Sequence, residues 1–323
     1  MKKVLFRSDA NPEIGAGHLM RSVALAQAFC ERGSQVRFMT IPAFEDLNRY
    51  LLSQPFDVTS LNLSPGQAGS ESDLQFTMEE ARKGYDWIVL DGYDFSPEFQ
   101  KTLQTAGCSL VSIDDRPGIP SVADVSVKID QPQYALIRAE LRQLPKSHTK
   151  DIRNILVTLG GSRQTDTLVK IVRALKTLDP IQFHIKVLSG FDRETFFETG
   201  GPHRLEFLPA TIDNYKLYAW ADLAIAAGGG TAWELNYFKI PAVIGAMSER
   251  QAVFGELLSR AGACEYVGWY REASEGSIAD AVKTFIAGRK IAGLVDGRGS
   301  ERVLEAVRAF EREKLKVEGR KNG

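Results

Sequence analysis

Short apolar runs alternate with longer stretches of helical periodicity along most of the chain. Runs of about 4–8 apolar residues predict buried strands, whereas apolar residues spaced three to four apart predict amphipathic helices. In the first half, strands are predicted at Val4–Arg7, Val36–Met39, Trp87–Asp91 and Leu110–Ile113, and helices at Leu19–Arg32, near Phe44–Leu52 and from the Ser96-Pro97 cap onward. This alternation is typical of a parallel sheet with crossover helices.

The alternation restarts after the polar stretch Pro145–Asp151, where we place the domain boundary. Strands are predicted at Ile155–Leu159, Phe183–Leu188, Leu205–Leu208, Leu223–Ala227, Ala242–Ile244 and Glu265–Val267. Helices are predicted at Thr165–Leu178, Asp213–Trp220, Thr231–Phe238, Arg250–Ala261, Ile278–Ala287 and Glu301–Lys316. A second doubly wound α/β half therefore follows the first.

The pattern predicts an α/β protein of two doubly wound, Rossmann-like domains that face a central cleft. We expect an N-terminal domain over residues 1–148, a C-terminal domain over 149–300, and a helix and tail over 301–323 that cross back to the first domain. Open α/β sheets bind ligands outside the carboxyl ends of their strands, so candidate chemistry is sought in the loops there.

Composition and charge exclude several classes of protein. The chain has 323 residues, 44% of them hydrophobic, with 40 Lys and Arg against 41 Asp and Glu. A net charge of −1 supplies no broad positive field for a nucleic acid, so no nucleic-acid partner is expected. Arg7 and Asp9 interrupt the N-terminal apolar run, and no apolar stretch approaches about 18 residues, which favours a cytoplasmic protein. The apolar segment Ile41–Leu52 has Arg49 as its single basic residue, so no stable membrane attachment is expected.

The cysteines and histidines provide no metal or disulfide pattern. Cys30, Cys108 and Cys264 are far apart and lack CxxC spacing, so we predict three buried thiols. No histidine has a second histidine or a cysteine at ligand spacing. Neither a metal nor a cofactor is predicted.

The first glycine turn follows the first strand and reads Ile14-Gly15-Ala16-Gly17-His18. Glycines at a helix N-terminus let free N–H groups approach a ligand, but Met20 stands where a dinucleotide fingerprint needs its third glycine. His18 is a candidate general base, with a capping or core histidine as the alternative. Arg7 and Asp9 end the same strand, where a structural ion pair and a ligand role are both open.

A second glycine turn, Gly228-Gly229-Gly230-Thr231, connects the predicted strand Leu223–Ala227 to a helix. Its uncovered N–H groups and the helix dipole favour a pyrophosphate, and Glu234, one turn into the helix, is placed to accept hydrogen bonds from sugar hydroxyls. The alternative for Glu234 is a partner of the helix dipole. Gly160-Gly161-Ser162 is a further glycine turn after a strand, which is either a ligand site or only a tight connection. Tyr93, at the end of a first-half strand, either reaches substrate or packs on the sheet rim.

Taken together, these motifs resemble one family. They are Phe6-Arg7-Ser8-Asp9, Ile14–His18 with Arg21, Asp91 with Tyr93, Ile113-Asp114-Asp115, Tyr134–Arg138, Leu159–Ser162 and Ala227–Glu234. The family is that of the UDP-2,4-diacetamido-2,4,6-trideoxy-β-L-altropyranose hydrolases of pseudaminic acid biosynthesis. It is related to spore-coat polysaccharide biosynthesis proteins and to the lipid II-forming N-acetylglucosaminyltransferase. The resemblance implies the two-domain GT-B fold and a UDP-sugar substrate.

The same resemblance implies the roles of individual residues. Water attacks the anomeric carbon without a metal, His18 takes its proton, and Tyr93 positions it. The residues expected to bind substrate are Arg7, Asp9, Gly15, Gly17, Arg21, Gly161, Ser162, Gly229, Gly230, Thr231, Glu234, Glu249 and Gln251. This chain departs from the family at Gly92, where a histidine is usual, and in the short segment between Asp124 and Tyr134.

Three functions follow from these motifs. The main interpretation is a hydrolase that releases UDP and a free sugar in surface-glycan biosynthesis. The alternative is a GT-B transferase that delivers the sugar to a soluble acceptor. A nucleotide-sugar-binding protein without turnover is a third interpretation, which the presence of His18 and Tyr93 disfavours.

Overall fold

The structure is a computed structural model that describes residues 1–11, 14–114, 121–129, 131–145, 151–160, 165–178, 180–189, 203–209 and 211–321. The chain divides into two compact units, which we call the first unit (Met1–Arg142 with Gly297–Gly323) and the second unit (Gln143–Asp296). The predicted boundary at 148/149 lies outside the described residues, and the predicted domain ranges stay a prediction.

Each unit is built on a six-stranded parallel sheet. The strands of the first unit are β1 (Lys3–Ser8), β2 (Gln35–Thr40), β3 (Asp57–Ser60), β4 (Trp87–Asp91), β5 (Ser109–Asp114) and β6 (Val125–Lys128), and those of the second are β7 (Asn154–Thr158), β8 (His184–Ser189), β9 (Arg204–Pro209), β10 (Leu223–Ala227), β11 (Ala242–Ala246) and β12 (Glu265–Trp269). The strand orders are β3-β2-β1-β4-β5-β6 and β12-β11-β10-β7-β8-β9. Both orders are those of a doubly wound, Rossmann-like sheet, which confirms the predicted fold class.

Helices connect the strands. They are α1 (Gly17–Glu31), α2 (Glu45–Leu52), α3 (Glu71–Ala81), α4 (Pro97–Gln104), α5 (Ala139–Gln143), α6 (Thr165–Lys176), α7 (Gly230–Tyr237), α8 (Glu249–Arg260), α9 (Glu275–Ile286) and α10 (Gly299–Lys321), with 3₁₀ helices at Pro132–Tyr134 and Ile212–Ala219. The cap predicted for α4 is confirmed, because Ser96 Oγ accepts a hydrogen bond from the Phe99 N–H at 3.1 Å.

The first unit buries its central strands on both faces, because helices cover each side of the sheet. Val4 and Phe6 pack in one core cluster with residues of α1, whereas Leu5 between them faces a second cluster containing Phe95 and Phe99. Helix α10 contributes Val303, Leu304 and Val307 to the first of these clusters. The alternation along β1 therefore directs successive side chains to opposite layers.

Several local predictions differ from the structure. The segment predicted as a helix over Asp213–Trp220 is a 3₁₀ helix, and β3, α3 and β6 were not predicted. The strands β3 and β6 are four-residue strands at sheet edges with partly exposed side chains, so they carry only a weak apolar signal. Strand β6 also accounts for part of the short segment after Asp124, since Val125–Lys128 pairs with β5.

The cysteines match the prediction in two of three cases. Cys108 and Cys264 are buried, and burial raises the pKa of Cys264 to about 12. Cys30 is half-exposed, so the prediction of a buried thiol is wrong there. It lies in the last turn of α1, and its thiol donates to the Pro55 carbonyl. None of the three forms a disulfide. Among the described helices, none is both long and apolar enough to span a bilayer.

Asn236 ties α7 to the segment that precedes α10. Its Oδ1 accepts hydrogen bonds from the N–H groups of Leu294 and Val295, and its Nδ2 donates to the Ala292 carbonyl, all at 2.8–3.0 Å. The side chain is 3% exposed, so water cannot replace these bonds.

We expect Asn236→Ala to lower the free energy of unfolding by about 2–4 kcal/mol, because buried backbone groups lose their partners. Urea titration of the purified chain measures this. Asn214→Ala is the matched control: its amide also bonds the backbone, but at an exposed site, so the expected loss is below about 1 kcal/mol. Equal losses of unfolding free energy in the two variants would contradict a stabilising role for the Asn236 hydrogen bonds.

Candidate active site

His18 lies in the first turn of α1, at the edge where the parallel strands of the first unit end. Its Nδ1 is 2.6 Å from Oδ1 of Asp91, the last residue of β4, and its side chain is 5% exposed. Gly15 allows this arrangement, because its φ of +71° belongs to the left-handed region, and its N–H donates to the Asn11 carbonyl. Gly17 is exposed at the first position of the helix. The sequence predicted the histidine and its glycine turn but not its carboxylate partner.

Asp91 accepts hydrogen bonds from three side chains of α1. Arg21 Nε donates to Oδ2 at 2.7 Å and Arg21 Nη2 to Oδ1 at 2.6 Å, and Ser22 Oγ donates to Oδ2 at 2.9 Å. The third partner is His18. Arg21 was predicted to bind substrate. The structure instead places its guanidinium on Asp91, where it also lies 2.9 Å from Nδ1 of His18.

The charge state of Asp91 determines the tautomer of His18. Burial raises the pKa of a carboxyl group, but the charges and hydrogen bonds of Arg21 and His18 outweigh burial and lower the pKa of Asp91 to about 2. An ionised carboxylate only accepts hydrogen bonds, so Nδ1 carries a proton, and in the neutral imidazole Nε2 then holds the lone pair. Nε2 makes no hydrogen bond within the described part of the chain.

The lowered pKa of Asp91 predicts a pH-dependent contribution to stability. Because the folded-state pKa is below the unfolded-state value, this contribution is present above about pH 4 and is lost as the pH falls through about 2. We expect wild-type protein to lose about 2 kcal/mol relative to Asp91→Asn between pH 6 and pH 2.

Chemical unfolding of both proteins across this pH range measures the difference. The control is Asp213→Asn, which removes an exposed carboxylate paired with Lys216 and should follow the wild-type curve. Parallel curves for wild type and Asp91→Asn would contradict the inferred charge state.

Tyr93 is adjacent to His18. The two rings meet edge to face with their centroids 4.2 Å apart, which supports the prediction that they share a site. Gly92, between Asp91 and Tyr93, packs closely on Phe95: a Cβ there would lie 2.8 Å from the ring, which would have to move. The histidine usual in the resembled family does not fit this backbone while Phe95 keeps its position.

Arg7 and Asp9, which were predicted to bind substrate, lie in an internal ion-pair cluster. Arg7 is fully buried, and its guanidinium donates to both carboxylate oxygens of Asp73 at 2.8 and 2.9 Å and to Asp9 Oδ1 at 2.6 Å. The same Asp9 oxygen accepts the N–H of Ile41 at 2.7 Å. The structure therefore supports the ion-pair alternative for Arg7 over a direct ligand contact.

In the second unit, the glycine turn follows β10 directly and begins α7. Gly228 must be glycine, because a Cβ would lie 2.6 Å from the carbonyl oxygen of Gln251. Gly229 has a φ of +157° and makes no side-chain cap for α7, so the first N–H groups of the helix are uncovered. Gly229 and Thr231 are half-buried and Gly230 is exposed. Such a turn can bind an anion through the backbone.

The first turn of α8 packs against this glycine turn. Gln251 Oε1 accepts the N–H of Met247 at 2.8 Å, so its side chain holds the loop after β11. Glu249 is exposed at the first position of α8. The structure thus brings Gln251 next to the glycine turn. Gly161 and Ser162, also predicted to bind substrate, lie outside the described residues.

Glu234 lies one turn into α7 and is half-buried. Its Oε2 accepts a hydrogen bond from the hydroxyl of Tyr218 at 2.7 Å. The sequence did not predict three pairs: Tyr218 with Glu234, Asp73 with Arg7, and Asp91 with His18. The two residues of each pair are separated along the chain by at least one secondary-structure element. Within the described ranges, no group of three His, Cys, Asp or Glu side chains is arranged to hold a metal ion.

Comparison with known proteins relates the second unit to one family. Residues 154–290 match the Glycosyltransferase family 28 C-terminal domain. The chain is 32% identical over 116 residues to the UDP-N-acetylglucosamine--N-acetylmuramyl-(pentapeptide) pyrophosphoryl-undecaprenol N-acetylglucosamine transferase of Aquifex aeolicus, which covers 33% of each chain. It is 25% identical over 182 residues to the UDP-2,4-diacetamido-2,4,6-trideoxy-beta-L-altropyranose hydrolase of Campylobacter jejuni, covering 50% of this chain and 61% of that one. The chain thus spans less than two thirds of the length of either relative.

Solved structures extend the similarity to nearly the whole chain, at the level of the fold. MurG of Acinetobacter baumannii superposes with a TM-score of 0.62 at 17% identity, covering 97% of this chain and 100% of that one. A candidate UDP-N-acetylglucosamine 2-epimerase of Listeria monocytogenes superposes with a TM-score of 0.67 at 14% identity, covering 96% and 97%. The chain therefore has the two Rossmann-like domains of the GT-B fold, and its second unit is similar to the C-terminal domain of family 28 glycosyltransferases.

Proposed function

We propose that this chain is a UDP-sugar-dependent glycosyltransferase that moves a sugar from the nucleotide to an acceptor hydroxyl. The observation that carries the proposal is the His18–Asp91 pair at 2.6 Å, which leaves the lone pair of Nε2 available for a proton. The match of the second unit to a glycosyltransferase domain supports a nucleotide-sugar donor. The Aquifex relative, whose name states transfer of N-acetylglucosamine, supports transfer as the reaction.

The proposed step is a substitution at the anomeric carbon. The acceptor hydroxyl gives its proton to His18 Nε2 while its oxygen forms the new bond to the anomeric carbon. The bond between that carbon and the diphosphate oxygen breaks, and UDP leaves with the electron pair. Asp91 stays ionised and stabilises the imidazolium that forms, and Arg21 balances the charge of Asp91.

The second unit is proposed to bind the nucleotide. The uncovered N–H groups at Gly229, Gly230 and Thr231 and the dipole of α7 lower the energy of the charge that develops on the leaving diphosphate. Glu234 is proposed to accept hydrogen bonds from the ribose hydroxyls. Tyr93, in contact with His18, is proposed to hold the attacking hydroxyl.

The second candidate function is hydrolysis, in which water takes the place of the acceptor. It is favoured by the Campylobacter relative, whose similarity covers 50% of this chain against 33% for the Aquifex transferase. The 2,4-diacetamido-trideoxy sugar and a place in pseudaminic acid or related surface-glycan biosynthesis belong to this candidate. Both functions use the same base and the same leaving group, so only the nucleophile distinguishes them.

The test is UDP release by the purified chain, followed by ³¹P NMR. The donors are UDP-N-acetylglucosamine, UDP-glucose and the UDP-2,4-diacetamido-trideoxy altrose compound, each with and without a panel of soluble sugar and alcohol acceptors. Release that requires an acceptor supports transfer, and release in water alone replaces transfer by hydrolysis. Absence of UDP binding, or binding without release under every condition, overturns the proposal.

A further inference from the structure

Tyr218 connects the 3₁₀ helix Ile212–Ala219 to the middle of α7. Its hydroxyl donates to Glu234 Oε2 at 2.7 Å, and its side chain is 8% exposed. The ring packs at 5.7 Å from the ring of Phe238, just beyond the end of α7. The phenol is thus held by packing on one side and directs its O–H toward the carboxylate.

The hydrogen bond restricts a side chain that is otherwise flexible. A glutamate has three rotatable bonds, and fixing them costs free energy that binding must supply when the free protein leaves them loose. A hydrogen bond to an ionised carboxylate is stronger than one between neutral groups, so one phenol can select one orientation. Glu234 is therefore oriented before any ligand arrives.

We propose that Tyr218 is a positioning residue, which orients Glu234 to accept hydrogen bonds from the two ribose hydroxyls of the nucleotide. This inference rests on the proposed function, because it takes the ligand of α7 to be a nucleoside diphosphate. The phenol O–H donates to Oε2 from the side of the 3₁₀ helix. On the side of the glycine turn, where Gly230 is exposed, the carboxylate would bind the ribose diol. Tyr218 itself does not touch the nucleotide.

A purely structural role for the bond predicts a different outcome. If Tyr218 only tied the 3₁₀ helix to α7, its loss would lower the stability of the protein and weaken the binding of all nucleotides alike. A positioning role affects only ligands that carry ribose hydroxyls. The informative pair of probes is therefore UDP and 2′,3′-dideoxy-UDP, which share the base and the diphosphate.

The experiment measures the affinity of the full chain for both probes by calorimetry, with Tyr218→Phe as the test variant. We expect Tyr218→Phe to lower the affinity for UDP roughly 3- to 10-fold, the effect of losing one charge-assisted hydrogen bond. The affinity for 2′,3′-dideoxy-UDP should stay unchanged. Turnover at saturating donor should stay the same while KM rises. In a Glu234→Ala background, Tyr218→Phe should have no further effect on UDP.

Tyr85→Phe is the matched control. Tyr85 in the first unit donates to Glu80 Oε1 at 2.7 Å, a bond of the same kind and length, and its loss should leave both affinities unchanged. If Tyr218→Phe does not fold, Tyr218→His keeps a ring donor for Glu234 and should retain the preference for UDP over the dideoxy probe.

Three results with the variants would overturn the proposal. They are equal weakening of both probes by Tyr218→Phe, unchanged affinity for UDP in that variant, and a further loss in the Glu234→Ala background. A wild-type chain that binds UDP and 2′,3′-dideoxy-UDP equally also overturns it while leaving the proposed function intact. A wild-type chain that binds neither probe refutes the proposed function, so the two failures are distinguishable.

Discussion

His18→Ala is expected to lower kcat roughly 10²- to 10⁴-fold, the usual contribution of a positioned general base, with the affinity for UDP unchanged. In the proposed reaction, the attacking hydroxyl gives its proton to the imidazole, and Asp91 holds the ring in the tautomer that can accept one. The proposal places the UDP contacts in the second unit, whereas His18 lies in the first unit. Removal of its ring should therefore not weaken the binding of UDP. Initial rates of UDP release and calorimetric titration with UDP measure the two quantities.

His184→Ala is the control for this variant. His184 in the second unit is also a partly buried histidine beside a carboxylate, with Nε2 at 3.2 Å from Glu206 Oε2, and it has no role in the proposed reaction. Its rate should stay within about twofold of wild type, as for a substitution away from the site. Full activity in His18→Ala would remove His18 from the mechanism, and loss of UDP binding in that variant would show that its effect is not confined to the chemical step.

Asp73→Asn is expected to lower the free energy of unfolding by about 3–5 kcal/mol, because it leaves the buried guanidinium of Arg7 without its bidentate partner. Arg7 and Asp73 are both 0% exposed, so water cannot replace the charge-assisted hydrogen bonds that the guanidinium loses. Asp9 binds the remaining nitrogen of Arg7 and does not replace the lost pair of bonds. Urea denaturation at neutral pH measures the change.

The control is Arg49→Gln, which breaks an exposed ion pair with Glu45 on α2. Solvent screens that pair, so its removal should cost less than about 0.5 kcal/mol. An Asp73→Asn variant as stable as the control would mean that Arg7 is not dependent on Asp73. The result bears on the site as well, because Arg7 immediately precedes Ser8, whose Cα is paired with that of Asp91 across the sheet.

Most strands and helices were predictable, because their signal is local. Buried parallel strands such as β4 and β10 are nearly continuous apolar runs, and the apolar residues of amphipathic helices such as α6 repeat every three to four positions. The edge strand β3 and the polar helix α3 were not predicted, because neither carries a clear apolar pattern. Strand β3 is defined by its backbone pairing with β2, which the sequence does not show. Asp73, the partner of Arg7, lies on α3 and was missed with it.

The candidate site shows the same division. The glycine turns at Gly15–Gly17 and Gly228–Gly230 and the histidine beside the first were visible along the chain, because each motif is contiguous. The roles of Arg7 and Arg21 were not: both are cations at the edge of a strand or helix, and nothing in their spacing tells a ligand contact from an internal ion pair. Their partners Asp73 and Asp91 lie 66 and 70 residues away in sequence.

The order of residues was therefore sufficient for the α/β class, the two doubly wound halves and the position of the glycine turns, since periodicity and turn chemistry are properties of neighbouring residues. The tertiary structure was needed to pair His18 with Asp91, Arg7 with Asp73 and Glu234 with Tyr218. These pairs join different secondary-structure elements, and a hydrogen bond depends on a distance of about 3 Å in space rather than on separation along the chain.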